Sequence, residues 1–98
     1  MTIKKELNDG ELKVEVSGRL DTVTSPELEK SLMENFTGVS SLILDFAQLE
    51  YISSAGLRVL LIAQKQMNKQ GKMALINVNE AVMEILELTG FDQILTIQ

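Results

Sequence analysis

The first twenty residues contain the alternation of apolar and polar side chains that is typical of a β-strand. Leu12, Val14 and Val16 alternate with charged residues, so one face of this strand would be buried and the other would face water. Residues 8–10 have the sequence Asn-Asp-Gly, which favours a tight turn between two antiparallel strands. We therefore predict that residues 3–7 form an earlier strand of the same hairpin.

A helix start is predicted at Thr24. Thr24 offers a hydroxyl cap, Pro26 lies in the first turn, and Glu27 is spaced to complete a capping box with Thr24. Apolar residues then recur at helical spacing, and Gly38 predicts the end of the helix.

Further along the chain, strands and helices are predicted to alternate, each ended by a suitable residue. Gly71 and Gly90 follow helical patterns at the positions where glycine favours a helix end. The predicted elements are a buried strand at residues 42–46, a helix at about residues 54–70, a strand at residues 73–78, a helix at residues 79–87 capped by Asn79, and a last strand at residues 94–97.

The predicted order ββαβαβαβ indicates an α/β fold built as one domain over residues 1–98. We expect a central mixed sheet of four to five strands, parallel in its later part, with about three helices. Functional sites of such sheets tend to lie at the carboxyl ends of the strands, in loops that lead into helices. This rule directs attention to residues 18–25 and residues 50–56.

Composition narrows the classes of function. The 98-residue chain has no cysteine and no histidine, which excludes disulfide scaffolds, thiol catalysis, histidine-dependent triads and nearly all structural zinc sites. The net charge of -5 argues against nucleic acid or an anionic membrane as the main partner, because both require a basic surface. We expect no catalytic residues, no metal and no cofactor, and we expect a protein partner instead.

Targeting signals are not evident in the sequence. Residues 1–7 have no apolar core of a signal peptide, and the longest apolar run, residues 59–63, is too short to cross a bilayer. We expect a cytoplasmic protein.

Two adjacent serines, Ser53 and Ser54, lie where the longest helix begins. Either hydroxyl could serve only as an N-cap, a role that typically contributes about 1 kcal/mol. The small residues Ala55 and Gly56 in the first turn suggest instead that something approaches closely, because glycine costs a helix interior about 1 kcal/mol relative to alanine. A phosphate on Ser54 would also be favoured by the free N–H groups and the dipole of the helix.

The helical periodicity of residues 54–70 predicts one core face and one wet face. Leu57, Leu60, Leu61 and Met67 share the core side, whereas Arg58 and Ile62 project to the other side. Ile62 would be an apolar residue on a wet face, one turn after Arg58. Because single exposed apolar residues are common, Ile62 could be ordinary surface, or it could belong with Arg58 to a surface for a partner.

The segment YISSAGLRVLL at residues 51–61, together with SGRLD at residues 17–21, resembles the STAS-domain family of anti-sigma factor antagonists. The resemblance implies that Ser54, two residues before Gly56, is phosphorylated by an anti-sigma factor that is also a serine kinase. It further implies that the unphosphorylated protein binds the anti-sigma factor and releases the sigma factor. Phosphorylation would end this binding, and a PP2C-type phosphatase would restore it.

The resemblance also suggests roles for the neighbours of Ser54. Asp21 would lie near the phosphoacceptor and support recognition or phosphorylation, and Gly56 would support the same site. Many members of the family have aspartate immediately before the phosphoacceptor, where this chain has Ser53, which makes Ser53 a second candidate acceptor. The predicted partner surface consists of Ser53, Ser54, Ala55, Arg58 and Ile62.

Other interpretations are open at this point. Asp45, at the end of a buried strand, could be the phosphoacceptor of a receiver-like domain, although the acidic cluster needed for magnesium is missing near the first strand. A serine hydrolase is disfavoured, because neither serine lies in a G-x-S-x-G elbow. The main alternative is a STAS module that binds protein in a transport or signalling complex without a phosphorylation switch.

Overall fold

The computed structural model describes all residues from 1 to 98. A short 3-10 helix at Phe91–Gln93 follows the last α-helix. The strands and α-helices, in chain order, are β1 (Thr2–Asn8), β2 (Glu11–Leu20), α1 (Ser25–Met33), β3 (Ser41–Asp45), β4 (Leu49–Ile52), α2 (Ser54–Gln70), β5 (Lys72–Ile76) and α3 (Glu80–Leu88).

The predicted hairpin is confirmed, and both of its strands extend further than the alternation indicated. Strands β1 and β2 pair antiparallel from Thr2 opposite Ser17 to Asn8 opposite Glu11. Asp9 and Gly10 both have positive φ, at 47° and 82°, as the two central residues of a type I′ turn require.

The sheet is mixed, as predicted, and has five strands. Its main path runs β1-β2-β3-β5, and every pair beyond β1-β2 is parallel. Strand β4 pairs in parallel with the far end of β2, after a register shift between Gly18 and Arg19. With three helices and this sheet, the predicted fold class is confirmed.

Two details of the sheet differ from the sequence prediction. Strand β4 was not predicted, because its four residues (Leu49–Ile52) are too few for a clear periodic pattern. The expected strand at residues 94–97 is reduced to a single parallel bridge between Leu75 and Ile97. That bridge is held by two hydrogen bonds, from Leu75 N–H to the Thr96 carbonyl and from Gln98 N–H to the Leu75 carbonyl, each 2.9 Å.

The core lies between the sheet and the helices. The alternating residues Leu12, Val14 and Val16 of β2 are all buried, which confirms the predicted inward face. In α2 the predicted core residues Leu57, Leu60 and Met67 are also buried. The largest fully buried side chains are Phe46, Leu12, Leu20, Leu28, Leu32, Leu42, Leu44, Leu49, Ile52, Leu60, Met67 and Leu75.

The division of α2 into a core face and a wet face is less sharp than predicted. Leu61 and Ile62 are both partly buried, so Ile62 is not a fully exposed residue. Val59 and Ala63 are buried as well, because α2 packs against both α1 and the sheet.

None of the helices is long and apolar enough to cross a lipid bilayer.

Helix α1 begins where predicted but is shorter and is capped differently. It ends at Met33, and Gly38 lies in the following loop with a φ of 78°. The expected capping box is wrong, since Thr24 makes no side-chain hydrogen bond to the first turn of the helix. Its hydroxyl is used elsewhere, as described below.

The predicted bounds of α2 are confirmed at both ends. Gly71 ends the helix as predicted, but the need for glycine comes from a contact outside the helix. Gly71 has a φ of 170°, which is extended backbone open to any residue. Glycine is needed because a Cβ there would overlap the backbone carbonyl of Ser40.

Candidate functional site

The two segments singled out in the sequence meet at one edge of the sheet. Leu20, the last residue of β2, is the register partner of Ile52, the last residue of β4. One residue further on, the Ser53 N–H donates to the Leu20 carbonyl at 2.9 Å. The loop that follows β2 therefore lies beside the start of α2.

Gly56 allows α2 to begin tightly against the ends of these two strands. A Cβ at Gly56 would lie 2.8 Å from Ile52 Cγ1 and 2.9 Å from Leu20 Cγ. The close approach expected from the sequence is therefore made by the protein's own core. Gly56 is buried and fixes the position of the first turn of the helix.

The two serines have different structural roles. Ser53 is the N-cap of α2: its backbone is extended, and its Oγ accepts from the Gly56 N–H at 3.4 Å. Ser54 is exposed, and its hydroxyl makes no hydrogen bond within the chain. The backbone N–H groups of Ser54 and Ala55 also have no acceptor, as is usual for the first turn of a helix.

Asp21 organises the loop between β2 and α1. Its Oδ1 accepts from the N–H groups of Val23 and Thr24, both at 3.0 Å, and its carbonyl accepts from the Ser25 N–H at 2.8 Å. The Thr24 hydroxyl accepts from the Asp21 N–H and donates to the Arg19 carbonyl at 2.7 Å. The Asp21 carboxylate therefore holds the turn that precedes α1, and its backbone carbonyl accepts from the first residue of the helix.

The pKa of Asp21 lies below its ordinary value of 3.8. The main cause is the hydrogen bond from the Thr24 N–H, and partial desolvation opposes it. The Thr24 hydroxyl, the Val23 N–H and the charge of Arg19 add to the lowering. Asp21 is therefore ionised at neutral pH, which suits a residue that holds a loop better than one that takes up a proton.

An apolar and cationic cluster borders this loop. The guanidinium of Arg19 lies 4.3 Å from the ring centroid of Tyr51, close enough for a cation–π interaction. Arg19 Nε is also 3.9 Å from Asp21 Oδ2. Val23, in the same loop, is 85% exposed and is the most exposed large apolar side chain of the protein.

Ser54 and Arg58 face a groove between α1 and α2. The groove has a volume of about 450 Å³. The Ser25 hydroxyl in its wall is buried, with the residue 2% exposed, and has no hydrogen-bond partner. Arg58 is exposed and makes no ion pair. The lining residues are Thr22, Ser25, Pro26, Glu29, Ser54, Ala55, Arg58 and Val59.

The structure brings three of the seven residues predicted for the site into the groove. Ser54, Ala55 and Arg58 share the groove, whereas Asp21 acts from the adjoining loop and does not line it. Ile62, one turn after Arg58, is also absent from the lining.

Thr22 and Ser25 lie in the segment at residues 18–25 that the sequence singled out, but neither they nor Glu29 were named as members of the site. Ser25 was interpreted only as part of a helix start, and Glu29 as solvated surface. Their membership depends on how α1 packs against α2, and no local pattern in the sequence encodes that packing.

Asp45 does not have the surroundings of a receiver phosphoacceptor. It is buried, and its Oδ1 accepts from the Ala47 N–H at 3.0 Å and from Asn77 Nδ2 at 3.1 Å. Lys13 Nζ lies 4.0 Å from its Oδ2. No group of three or more acidic side chains is arranged to hold a metal ion.

Comparison with known families settles which family this fold and motif represent. The sequence model of the STAS domain matches residues 2–98. The chain belongs to the STAS domain family. The predicted resemblance is therefore confirmed, and the match spans nearly the whole chain.

Relatives of this STAS domain include proteins named as regulators of sigma factors. BtrV of Bordetella bronchiseptica is 34% identical over 93 residues, which cover 93% of this chain and 80% of BtrV. The anti-sigma F factor antagonist of Paenibacillus polymyxa is 32% identical over 100 residues, covering 99% of this chain and 86% of that protein. A solved anti-sigma factor antagonist from Mycobacterium paratuberculosis has a TM-score of 0.88 at 28% identity, covering 98% of this chain and 83% of the other.

Proposed function

We propose that this STAS domain is an anti-sigma factor antagonist controlled by phosphorylation of Ser54. In the unphosphorylated state it binds an anti-sigma factor that is a serine kinase, and the sigma factor is released. The kinase transfers the γ-phosphoryl group of ATP to Ser54 Oγ, the hydroxyl proton is lost, and ADP leaves. A PP2C-type phosphatase then hydrolyses the phosphate ester with water, which regenerates the hydroxyl and releases inorganic phosphate.

The observation that carries the proposal is the contrast between Ser54 and Ser53. A phosphoacceptor must present a hydroxyl that another protein can reach. The Ser54 hydroxyl is exposed and unbonded, whereas Ser53 Oγ caps the helix at Gly56. This contrast favours Ser54 as the acceptor and makes Ser53 a secondary candidate.

The surroundings of Ser54 suit recognition by a protein. Arg58 offers an unpaired cation one turn along the helix, and Ala55 leaves the helix start uncrowded. Ile62 adds a partly exposed apolar contact further along. Asp21 and Gly56 act as positioning residues, since Asp21 holds the adjoining loop and Gly56 fixes the first turn against Leu20 and Ile52.

Electrostatics makes the switch feasible without unfolding. A phosphate adds about -1.5 to -2 charge at pH 7 to a chain whose net charge is already -5. A tenfold loss of affinity requires only about 1.4 kcal/mol. The free energy required to bury this charge in the interface can exceed that value, because an ion buried without a partner is strongly disfavoured.

The test uses four baits: the unmodified chain, Ser54→Ala, Ser54→Asp and the matched control Ser53→Ala. Each bait captures proteins from a lysate of the source organism, and the recovered protein is then incubated with ATP and the unmodified chain. We expect the Ser54→Ala and Ser53→Ala baits to recover an ATP-dependent kinase that the Ser54→Asp bait loses. We also expect that kinase to phosphorylate the unmodified chain at Ser54.

Two results would overturn the proposal. Equal recovery by the Ser54→Ala and Ser54→Asp baits would indicate a constitutive binding module, such as a subunit of a transport or signalling complex. Phosphate that arrives mainly at Ser53 would show that the acceptor is assigned to the wrong serine.

A further inference from the structure

The groove between α1 and α2 offers more hydrogen-bond donors than the folded chain uses. The Ser25 hydroxyl is buried in its wall without a partner. The N–H groups of Ser54 and Ala55 have no acceptor, and the guanidinium of Arg58 makes no ion pair. Because buried polar groups are nearly always satisfied, the unpartnered Ser25 hydroxyl is a donor available to a group with acceptor oxygens.

The spacing of Ser54 and Arg58 places a cation beside the proposed phosphoacceptor. The two residues are four positions apart on α2, and such residues share one face of a helix. Helical side chains lean toward the N-terminus, so the guanidinium of Arg58 can reach back toward a group on Ser54. Both residues line the groove that contains the Ser25 hydroxyl.

We infer that a phosphate on Ser54 is held in cis by this groove. The Arg58 guanidinium pairs with the phosphate, and the Ser25 hydroxyl and the free N–H groups of the first turn donate to its oxygens. This inference rests on the proposed function, which supplies the phosphorylation of Ser54. As a consequence, phosphorylation also withdraws Arg58 from the partner surface. The phosphate of the modified protein is then bound and ordered within its own chain.

Glu29 is expected to weaken the binding of the phosphate in the groove. Its substitution should therefore shift the phosphate pKa in the direction opposite to that of an Arg58 substitution. Glu29 lines the same groove, and its negative charge repels a phosphate that Arg58 attracts. The adjoining loop adds Asp21 and Arg19, which face each other at 3.9 Å and largely offset one another. Arg58 and Glu29 are thus the two charges expected to set the ionisation of the phosphate.

The first experiment installs phosphoserine at position 54 of the full chain during translation, so that no kinase is needed. Phosphorus NMR then follows the titration of the phosphate in the parent and in single variants. We expect Arg58→Gln to raise the phosphate pKa by about half a unit from a value below its usual one of about 6. Glu29→Gln is expected to lower it, and Lys65→Gln, an exposed cation further along α2, to leave it unchanged.

The second experiment measures thermal unfolding of Ser25→Ala with and without the installed phosphate. Without phosphate, removal of an unsatisfied buried hydroxyl is expected to leave Tm unchanged or to raise it. With phosphate, the same variant is expected to lower Tm relative to the phosphorylated parent, because a donor to the phosphate is lost.

The inference is overturned if the phosphate has the same pKa in Arg58→Gln and Lys65→Gln. It is also overturned if Ser25→Ala changes Tm by the same amount with and without the phosphate. Because the phosphoserine is installed during translation and not by a kinase, such a result would leave the proposed choice of Ser54 by a kinase unaffected. The partner-capture experiment above decides that question separately.

Discussion

The two ends of helix α2 border grooves of similar volume but of opposite chemistry. The groove at the N-terminus lies against α1 and has a volume of about 450 Å³. The groove at the C-terminus lies against the loop at residues 36–40 and has a volume of about 420 Å³. At the C-terminus the Gln70 side chain donates to the carbonyls of Phe36 and Val39, and the Lys72 N–H donates to the Ser40 carbonyl. That end is closed by its own hydrogen bonds.

The N-terminal end leaves its donors open. Ser54 and Ala55 keep free N–H groups, Arg58 has no ion pair and the Ser25 hydroxyl has no partner. The volume of a groove therefore does not distinguish structural from functional roles in this protein. The difference that supports the proposed function of the N-terminal groove is the buried Ser25 hydroxyl without a partner, because buried polar groups are nearly always satisfied.

The largest expected effect on the free energy of unfolding comes from a substitution at the C-terminal end of α2, which is closed by its own hydrogen bonds. In Gly71→Ala the new Cβ overlaps the carbonyl of Ser40, so the chain must shift, and we expect a loss of about 3 kcal/mol in the free energy of unfolding. Urea denaturation measures it. The control is Gly38→Ala, which has open space around it and a φ of 78° and should cost only about 1–2 kcal/mol. Equal losses in the two variants would show that the contact at Ser40 is not limiting.

The next largest effect comes from a substitution at the N-terminal end of α2, where the donors have no partner. In Gly56→Ala the Cβ would lie 2.8 Å from Ile52 and 2.9 Å from Leu20, and we expect a loss of about 1–2 kcal/mol. Because these contacts set the first turn of α2, the folded variant should also be phosphorylated more slowly at Ser54. Gly71→Ala, assayed under conditions where it is folded, should keep the parental rate. If Gly56→Ala also keeps the parental rate, Gly56 acts on stability alone.

A smaller effect separates the two serines. Ser53→Ala removes the N-cap of α2, and we expect a loss of about 0.5–1 kcal/mol. Ser54→Ala removes an exposed hydroxyl without a partner, so the free energy of unfolding should change by no more than about 0.5 kcal/mol, while phosphorylation is abolished. Chemical denaturation and mass spectrometry of the kinase-treated proteins measure the two outcomes. A larger stability loss in Ser54→Ala than in Ser53→Ala would contradict the assigned roles.

The smallest effect is the pH dependence at the open end. The folded pKa of Asp21 is lowered mainly by the Thr24 N–H, so its contribution to stability is complete above the ordinary value of 3.8 and is lost as pH falls through the lowered value. Asp21→Asn should therefore lose less stability than the parent on acidification below 3.8. Gln70→Ala, which alters only amide and carbonyl groups of the closed end, should keep the parental pH dependence. Identical acid profiles for the parent and Asp21→Asn would refute this role of Asp21.

Much of the fold and part of the site follow from local patterns in the sequence. The hairpin turn at Asp9 and Gly10, the bounds of α2 and the cap of α3 by Asn79 were predicted correctly. These features depend on neighbours within a few residues, so period, turn chemistry and capping suffice to find them. The pair of serines at the start of α2 was found by the same local reasoning.

Only the tertiary structure decided the rest, since it depends on residues that are distant in sequence. Strand β4 exists because Leu49–Ile52 pairs with the end of β2. Gly56 is required because the side chains of Leu20 and Ile52 lie against the first turn of α2. Ser25 is an unpartnered donor because α1 packs against α2. The sequence by itself determined the serine pair proposed to carry the chemistry, because helix capping is local, and the packing of α1, α2 and β4 determined which donors around it have no partner.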